Sequence, residues 1–154
     1  MNNCDFCTEN LPVSFGDRIH AIINDFAVAQ TRHPLHEFHL LIFDTVNHTK
    51  RLHDYSDNRI VDLKNLISTL DKGFRQELSN YLGYNLTSNN GESEIGQHIE
   101  HSHVHMFMRF KGEKKSPFDE YSPDEISEYL NTDGSVLVTK RVLKNIQGTQ
   151  LRII

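Results

Sequence analysis

Gly96-Gln97-His98-Ile99-Glu100-His101-Ser102-His103-Val104-His105-Met106-Phe107-Met108-Arg109 gathers four of the chain's ten histidines into eight residues. His101, His103 and His105 alternate with other residues. Alternation is the signature of a β-strand, whose successive side chains point to opposite faces. Three imidazoles then line one face, with Ser102, Val104 and Met106 on the other. Neutral imidazole is a nucleophile, a proton carrier and a metal ligand near neutral pH. A lone histidine is most often a surface or hydrogen-bonded core residue. Three in register, interleaved with apolar residues and preceded by Gly-Gln, point to chemistry.

Outward from this stretch, strands come first, then one long helix, then more strands. Residues 1–13 read as an irregular arm ending near Pro12. Residues 18–23 and 26–31 read as strands joined by Asn24-Asp25, residue types that tolerate the positive φ of a tight hairpin. Residues 32–37 form a loop around Pro34, and Phe38–Phe43 is a nearly continuous apolar run suited to a strand buried on both faces. Ile60, Leu63, Leu66, Ile67, Leu70, Phe74, Leu78, Tyr81 and Leu82 recur at helical spacing, with Ser56 or Asp57 as cap and Gly83 as the stop. Residues 85–88 predict a strand, 89–94 a polar loop and 98–110 the histidine strand. Ser122-Pro123-Asp124-Glu125 has the chemistry of a helix start, and 135–138 predict a short strand. This order predicts an α+β domain with an antiparallel sheet, not a wound βαβ fold.

The 154 residues suit one domain, with hydrophobic content of 37% and charged content of 24% typical of a folded soluble chain. A net charge of −5 without a basic block argues against a nucleic-acid or anionic-membrane surface. No apolar run approaches the roughly 20 residues that span a bilayer, and the first residues lack signal-peptide character, so a cytoplasmic setting is expected. Cys4 and Cys7 are the only cysteines. In a reducing compartment such a Cys-x-x-Cys pair suggests metal or redox chemistry, with two free thiols as the plain alternative.

These residues resemble the histidine triad (HIT) family. Its signature, His-φ-His-φ-His-φ-φ with φ apolar, follows a Gly-Gln and precedes Pro-Arg. Here it stands as Gly96-Gln97, then His101 to Phe107, then Met108-Arg109, with Ser102 at one apolar position and Met108 for the proline. Cys4-Asp5-Phe6-Cys7 resembles the Cys-x-Phe-Cys start of many bacterial members. Pro34 to Ile42 resembles the family's Pro-x-x-x-Gly-His-x-Leu-Ile strand, with Phe38 for Gly and Phe43-Asp44-Thr45 where Ile-Pro-Lys is usual. His48 and Asn90-Gly91 match further segments in the same order. The resemblance covers roughly residues 4–110. It implies a HIT-like core over 1–110 with residues 111–154 as a C-terminal extension packed on the same domain. It also implies a sheet of about five antiparallel strands, one long helix and a short C-terminal helix, and a homodimer.

The resemblance implies attack by the middle histidine, His103, on the α-phosphorus of a nucleotide, giving a covalent nucleotidyl-histidine that water hydrolyses. His105 matches the phosphate-contacting histidine. Asn90 matches an asparagine that reaches the phosphate or leaving group, and Gln97 with the backbone amides around His98 would close the pocket. His98 stands where Ser or Thr is common and either donates a proton or faces solvent. Thr31 takes the place of the acid that usually holds the ribose hydroxyls. It offers one hydroxyl instead of a charged bidentate acceptor. His101 either orients His103 or binds metal. Several bacterial members hold structural zinc on residues matching Cys4, Cys7, His48 and His101, a closed tetrahedral set; His53 is a substitute if the loop shifts. The implied substrate is a purine nucleotide derivative or dinucleoside polyphosphate. A nucleotide-binding regulatory module with little turnover is the main alternative. A zinc-stabilised domain without catalysis is a third.

Overall fold

The computed structural model describes residues 4–31, 34–36, 38–120, 122–125 and 133–145. Five strands form one antiparallel sheet: β1 (Ile19–Ile23), β2 (Phe26–Gln30), β3 (His39–Asp44), β4 (Tyr81–Thr87) and β5 (His103–Phe110), in the order β1-β2-β3-β5-β4. The fold is α+β, as the segment order predicts. Asn24 and Asp25 adopt φ of 48° and 64° and close the β1–β2 hairpin. Every residue of β3 is buried, as its apolar run requires. No helix among the described residues is long and apolar enough to cross a membrane.

The long helix, α2 (Asp57–Glu77), follows a helical turn, α1 (Leu11–Ser14), that replaces the end of the expected irregular arm. Ser56 caps α2 by accepting from the Arg59 amide. Leu63, Leu66, Leu70 and Phe74 are buried against Val28, Leu40, Ile42, Val104, Met106 and Met108 on one face of the sheet. Complete burial of Leu70 and Phe74 contributes roughly 1.5–3 kcal/mol each. Tyr81 and Leu82 lie in β4, not in the helix, and Gly83 sits at a strand irregularity instead of a helix stop. Their positions match the helical period by coincidence, because the chain turns at Leu78–Tyr81 and Tyr81 returns to the same core.

Two more expectations are corrected. The histidine strand begins at His103, not His98. Residues 135–138 are not a strand but lie within a third helix, α3 (Asp133–Asn145). Thr139, Val142 and Leu143 are buried, and α3 packs on α2 and β1. That packing overrides the β preference of Val-Leu-Val. The helix expected from Ser122 starts with a reciprocal cap: Glu125 N–H donates to Ser122 Oγ, and Ser122 N–H to Glu125 Oε2. Its continuation lies outside the described residues, as do Arg32, His33 and Glu37 of the expected loop.

Candidate active site and metal centre

The second face of the sheet carries the histidines. Register pairs Phe43 with His103, Leu41 with His105 and His39 with Phe107. Directly opposed residues share a face. The histidine side chains therefore join Ala27, Ala29, Leu41 and Phe43 beneath the N-terminal arm, whose Phe6, Leu11 and Phe15 cover this side. Phe6, between the two cysteines, stacks on Phe43 at 4.2 Å and sets its edge towards His103 at 5.2 Å. His101 precedes the strand and is fully buried.

Hydrogen-bond partners assign the tautomers of four imidazoles. His103 Nδ1–H donates to the His101 carbonyl at 2.8 Å, which leaves Nε2 with the lone pair. Leu35 N–H donates to His39 Nδ1 at 3.1 Å, so His39 carries its proton on Nε2. That proton is donated to His105 Nδ1 at 2.8 Å. His105 then carries its own proton on Nε2. His101 Nε2–H donates to the Asp44 carbonyl at 2.7 Å and keeps its lone pair on Nδ1. Burial is the largest cause holding all four below the ordinary imidazole range. His101 and His105 fall to about 4, and mutual repulsion among the histidines adds to the effect in His39, His101 and His105. Near pH 7 the row is neutral. It presents a nucleophilic nitrogen on His103 beside a hydrogen-bond donor on His105, with ring centroids 5.0 Å apart.

The HIT domain profile matches residues 20–112. The chain belongs to the HIT family. Three solved HIT-like structures extend the likeness over nearly the whole chain. A zinc-bound histidine triad family protein from Mycobacterium smegmatis is 21% identical with a TM-score of 0.62, covering 90% of this chain and 93% of its own. A hypothetical histidine triad nucleotide-binding protein from Sulfolobus tokodaii is 20% identical with a TM-score of 0.65, covering 92% and 93%. A diadenosine triphosphate hydrolase from Plasmodium falciparum is 17% identical with a TM-score of 0.56, covering 84% and 79%. No curated protein sequence matches the chain.

Cys4 and Cys7, ahead of the matched HIT residues, come together with His48 and His101, with one ligand atom from each inside 4.8 Å of all the others. Cys4 Sγ lies 3.2 Å from His101 Nδ1, and Cys7 Sγ lies 3.3 Å from His48 Nδ1 and 3.9 Å from His101 Nδ1. Bonds of about 2.0–2.3 Å to one tetrahedral zinc place ligands roughly 3.3–3.8 Å apart, so the set fits that ion. The Nδ1 lone pair of His101 faces the cluster because its Nε2–H is already used. Burial and the adjacent Cys4 push the Cys7 thiol up to about 11, so this thiol becomes a thiolate only beside a cation. His53 is exposed beside Asp54 and lies outside the cluster.

The other expected residues occupy different positions. His98 is exposed. Thr31 is buried just past β2. Gln97 is buried and fully bonded. Its oxygen accepts from Arg51 and the Gly91 amide, and its nitrogen donates to the Lys50 and Ile99 carbonyls. Asn90 accepts from the Leu52 amide and donates to Ser88. Both brace the loop before β5. His39 joins this histidine row without being singled out by the triad motif. The available signal was its place on the same alternating face as Leu41 and Phe43.

Proposed function

We propose that this HIT protein is a nucleotide hydrolase or transferase that works through a covalent intermediate on His103. The observation that carries the reading is the tautomer pair: a lone pair on His103 Nε2 next to an N–H on His105. His103 Nε2 attacks the α-phosphorus of a nucleoside phosphate derivative, forming an N–P bond as the bond to the leaving group breaks. Water then displaces the histidine. His105 donates to the phosphoryl oxygens, whose charge grows in the transition state, and donors set in place beforehand stabilise it. His39 holds His105 in the donating tautomer. Ile22, half-buried at the edge of the apolar cluster beneath the N-terminal arm, offers a surface for a purine, and Thr31 supplies a hydroxyl for the ribose.

The substrate class we favour is a purine nucleoside phosphoramidate or dinucleoside polyphosphate. The Plasmodium structure carries a name in the second class. Zinc on Cys4, Cys7, His48 and His101 would join the N-terminal arm to the sheet and leave no ligand position open for catalysis. The saturated bonding of Asn90 and Gln97, together with Thr31 in place of an acid, favours a second reading: a nucleotide-binding module with slow turnover.

We also propose a homodimer through the edge strand β4. Tyr84 and Leu86 are exposed on its α2 side, opposite Met108 and Met106, and Leu82 is 55% exposed nearby. Pairing of two such edges satisfies their free backbone groups. The described residues beyond β5, of which α3 packs on α2 and β1, complete the same domain, and two thiols set against imidazoles suit the reducing cytoplasm. The test of the catalytic reading is hydrolysis of adenosine phosphoramidate and diadenosine triphosphate by wild type and His103→Ala. Turnover that disappears in a folded variant supports it. Equal rates in both proteins refute it, and binding without turnover in wild type selects the second reading.

A further inference from the structure

Asp44 stands at the end of β3, at a position where the HIT pattern has a different sequence, and its side chain is fully buried. Its carboxylate folds the next turn. Oδ1 accepts from the amides of Val46 and Asn47, each at 2.9 Å, and Oδ2 accepts from Asn47 Nδ2 at 3.0 Å. Its carbonyl is the group that takes the His101 Nε2 proton. The carbonyl of Thr45 accepts from Thr8 N–H at 3.0 Å and from Thr8 Oγ1 at 2.7 Å, one residue beyond Cys7. His48 follows at the end of the turn. Residues 44–47 therefore fasten the segments that carry Cys7, His48 and His101.

A carboxylate without water around it needs a cation. Arg59, in the first turn of α2, supplies one. Its Nε donates to Asp44 Oδ2 at 2.7 Å and its Nη2 lies 2.6 Å from the same oxygen. The guanidinium is itself held in place. Nη1 donates to the Asn24 carbonyl at 2.9 Å and to Asp62 at 3.1 Å, and the group lies 4.3 Å over the ring of Phe26. Arg59 touches neither a cysteine nor a histidine of the cluster in any of these contacts.

We propose that Arg59 is a positioning residue for the metal centre, acting through Asp44. It keeps the Asp44 carboxylate turned inward, which holds His48 in place and fixes the His101 tautomer. This inference rests on the zinc reading above. Without the guanidinium, the carboxylate loses its partners on α2 and turns to water, and the turn loosens at both imidazoles. Loss of such outer hydrogen bonding costs a metal site about 10- to 100-fold in affinity.

The test is chelator competition for zinc on the full-length wild type, Arg59→Gln, Arg59→Lys and Arg75→Gln. The zinc-induced rise in melting temperature is measured alongside. Arg75 pairs with Asp71 on the exposed far part of the same helix and serves as the control. Arg59→Gln is expected to bind zinc about 10- to 100-fold more weakly and to show a smaller zinc-induced rise. Arg59→Lys, which keeps the charge without the fork, falls between, and Arg75→Gln matches wild type. A merely structural Arg59 would lower the melting temperature with and without zinc alike and leave the affinity unchanged, which overturns the proposal. If Arg59→Gln does not fold, Arg59→Lys decides: wild-type affinity in that variant also overturns it. A wild type that binds no zinc removes the zinc reading and this inference with it. A zinc-binding wild type matched by Arg59→Gln removes this inference alone.

Discussion

Replacing His39 with phenylalanine tests the tautomer chain directly. Phenylalanine keeps a ring against Phe107, whose centroid lies 4.3 Å from that of His39. It removes the donor to His105 Nδ1 and the acceptor of the Leu35 amide. In wild type the wrong tautomer of His105 would set an N–H against the N–H of His39. That costs at least one buried hydrogen bond, about 1–3 kcal/mol, so the Nε2–H form outweighs the other by roughly 5- to 150-fold. In the variant this bias disappears and the two forms approach equal population. At pH 7 both states are readable by nitrogen-15 NMR of the imidazoles, because burial and the neighbouring His103 hold His105 at about 4 and therefore neutral. Turnover should fall further than the twofold loss of the productive tautomer. The donor also loses its orientation, worth about 1–2 kcal/mol or roughly 5- to 30-fold in kcat, with KM changed less. A wild-type His105 protonated on Nδ1, or a variant that keeps a single Nε2–H form, would refute the chain of donors.

His20 should make the fold acid-labile. It is buried beside Gln30, and neither ring nitrogen makes a hydrogen bond of good geometry among the described residues. Burial is the main cause that lowers it to about 4, with Lys140 adding repulsion and Asp17 and Gln30 opposing it. The unfolded chain binds this proton at the ordinary 6.5, so stability is complete above that pH and is lost as pH falls towards 4, by on the order of 3 kcal/mol. His20→Leu should remove that part of the acid loss in denaturant melts at pH 7 and pH 4.5; equal acid losses in both proteins would count against it. Zinc at 100 times its Kd should add about 2.7 kcal/mol, or roughly 5–11 °C in Tm, and Cys4→Ser should remove this gain. Metal analysis that finds no zinc in protein purified without chelator would end that reading. Tyr84→Glu with Leu86→Glu on the edge strand should give a monomer in sedimentation. A wild type that is already monomeric would remove the dimer.

Local periodicity carried most of what the sequence revealed. The two-residue alternation of His103 and His105, the apolar run of β3 and the helical stripe from Leu63 to Phe74 each report a buried face directly. Periodicity failed where tertiary packing decided. Tyr81 and Leu82 continue the stripe of α2 yet belong to a strand that returns to the same core. Val136-Leu137-Val138 has strand composition but lies in a helix that packs on α2 and β1. The proposed site was legible as a Cys/His cluster and a histidine row, because these lie on recognisable motifs. Its supports were not. His39 meets His105 across 66 residues of sequence, and Arg59 meets Asp44 from another element. Asp44 was visible only as a departure from Ile-Pro-Lys, with no local signal of the carboxylate's partners. Gln97 and Asn90 matched a motif, but sequence could not show that their hydrogen bonds are taken up by Lys50, Arg51 and Leu52 and by the loop itself.

The most direct measurement is covalent trapping. The protein is incubated with a labelled adenosine phosphoramidate or diadenosine polyphosphate, quenched within a turnover, and mapped by mass spectrometry under conditions that preserve phosphorus–nitrogen bonds. The account predicts a nucleotidyl group on His103, absent from His103→Ala and accumulating less in His39→Phe. An adduct on another residue, or steady hydrolysis with no adduct on His103 at any time, would contradict it.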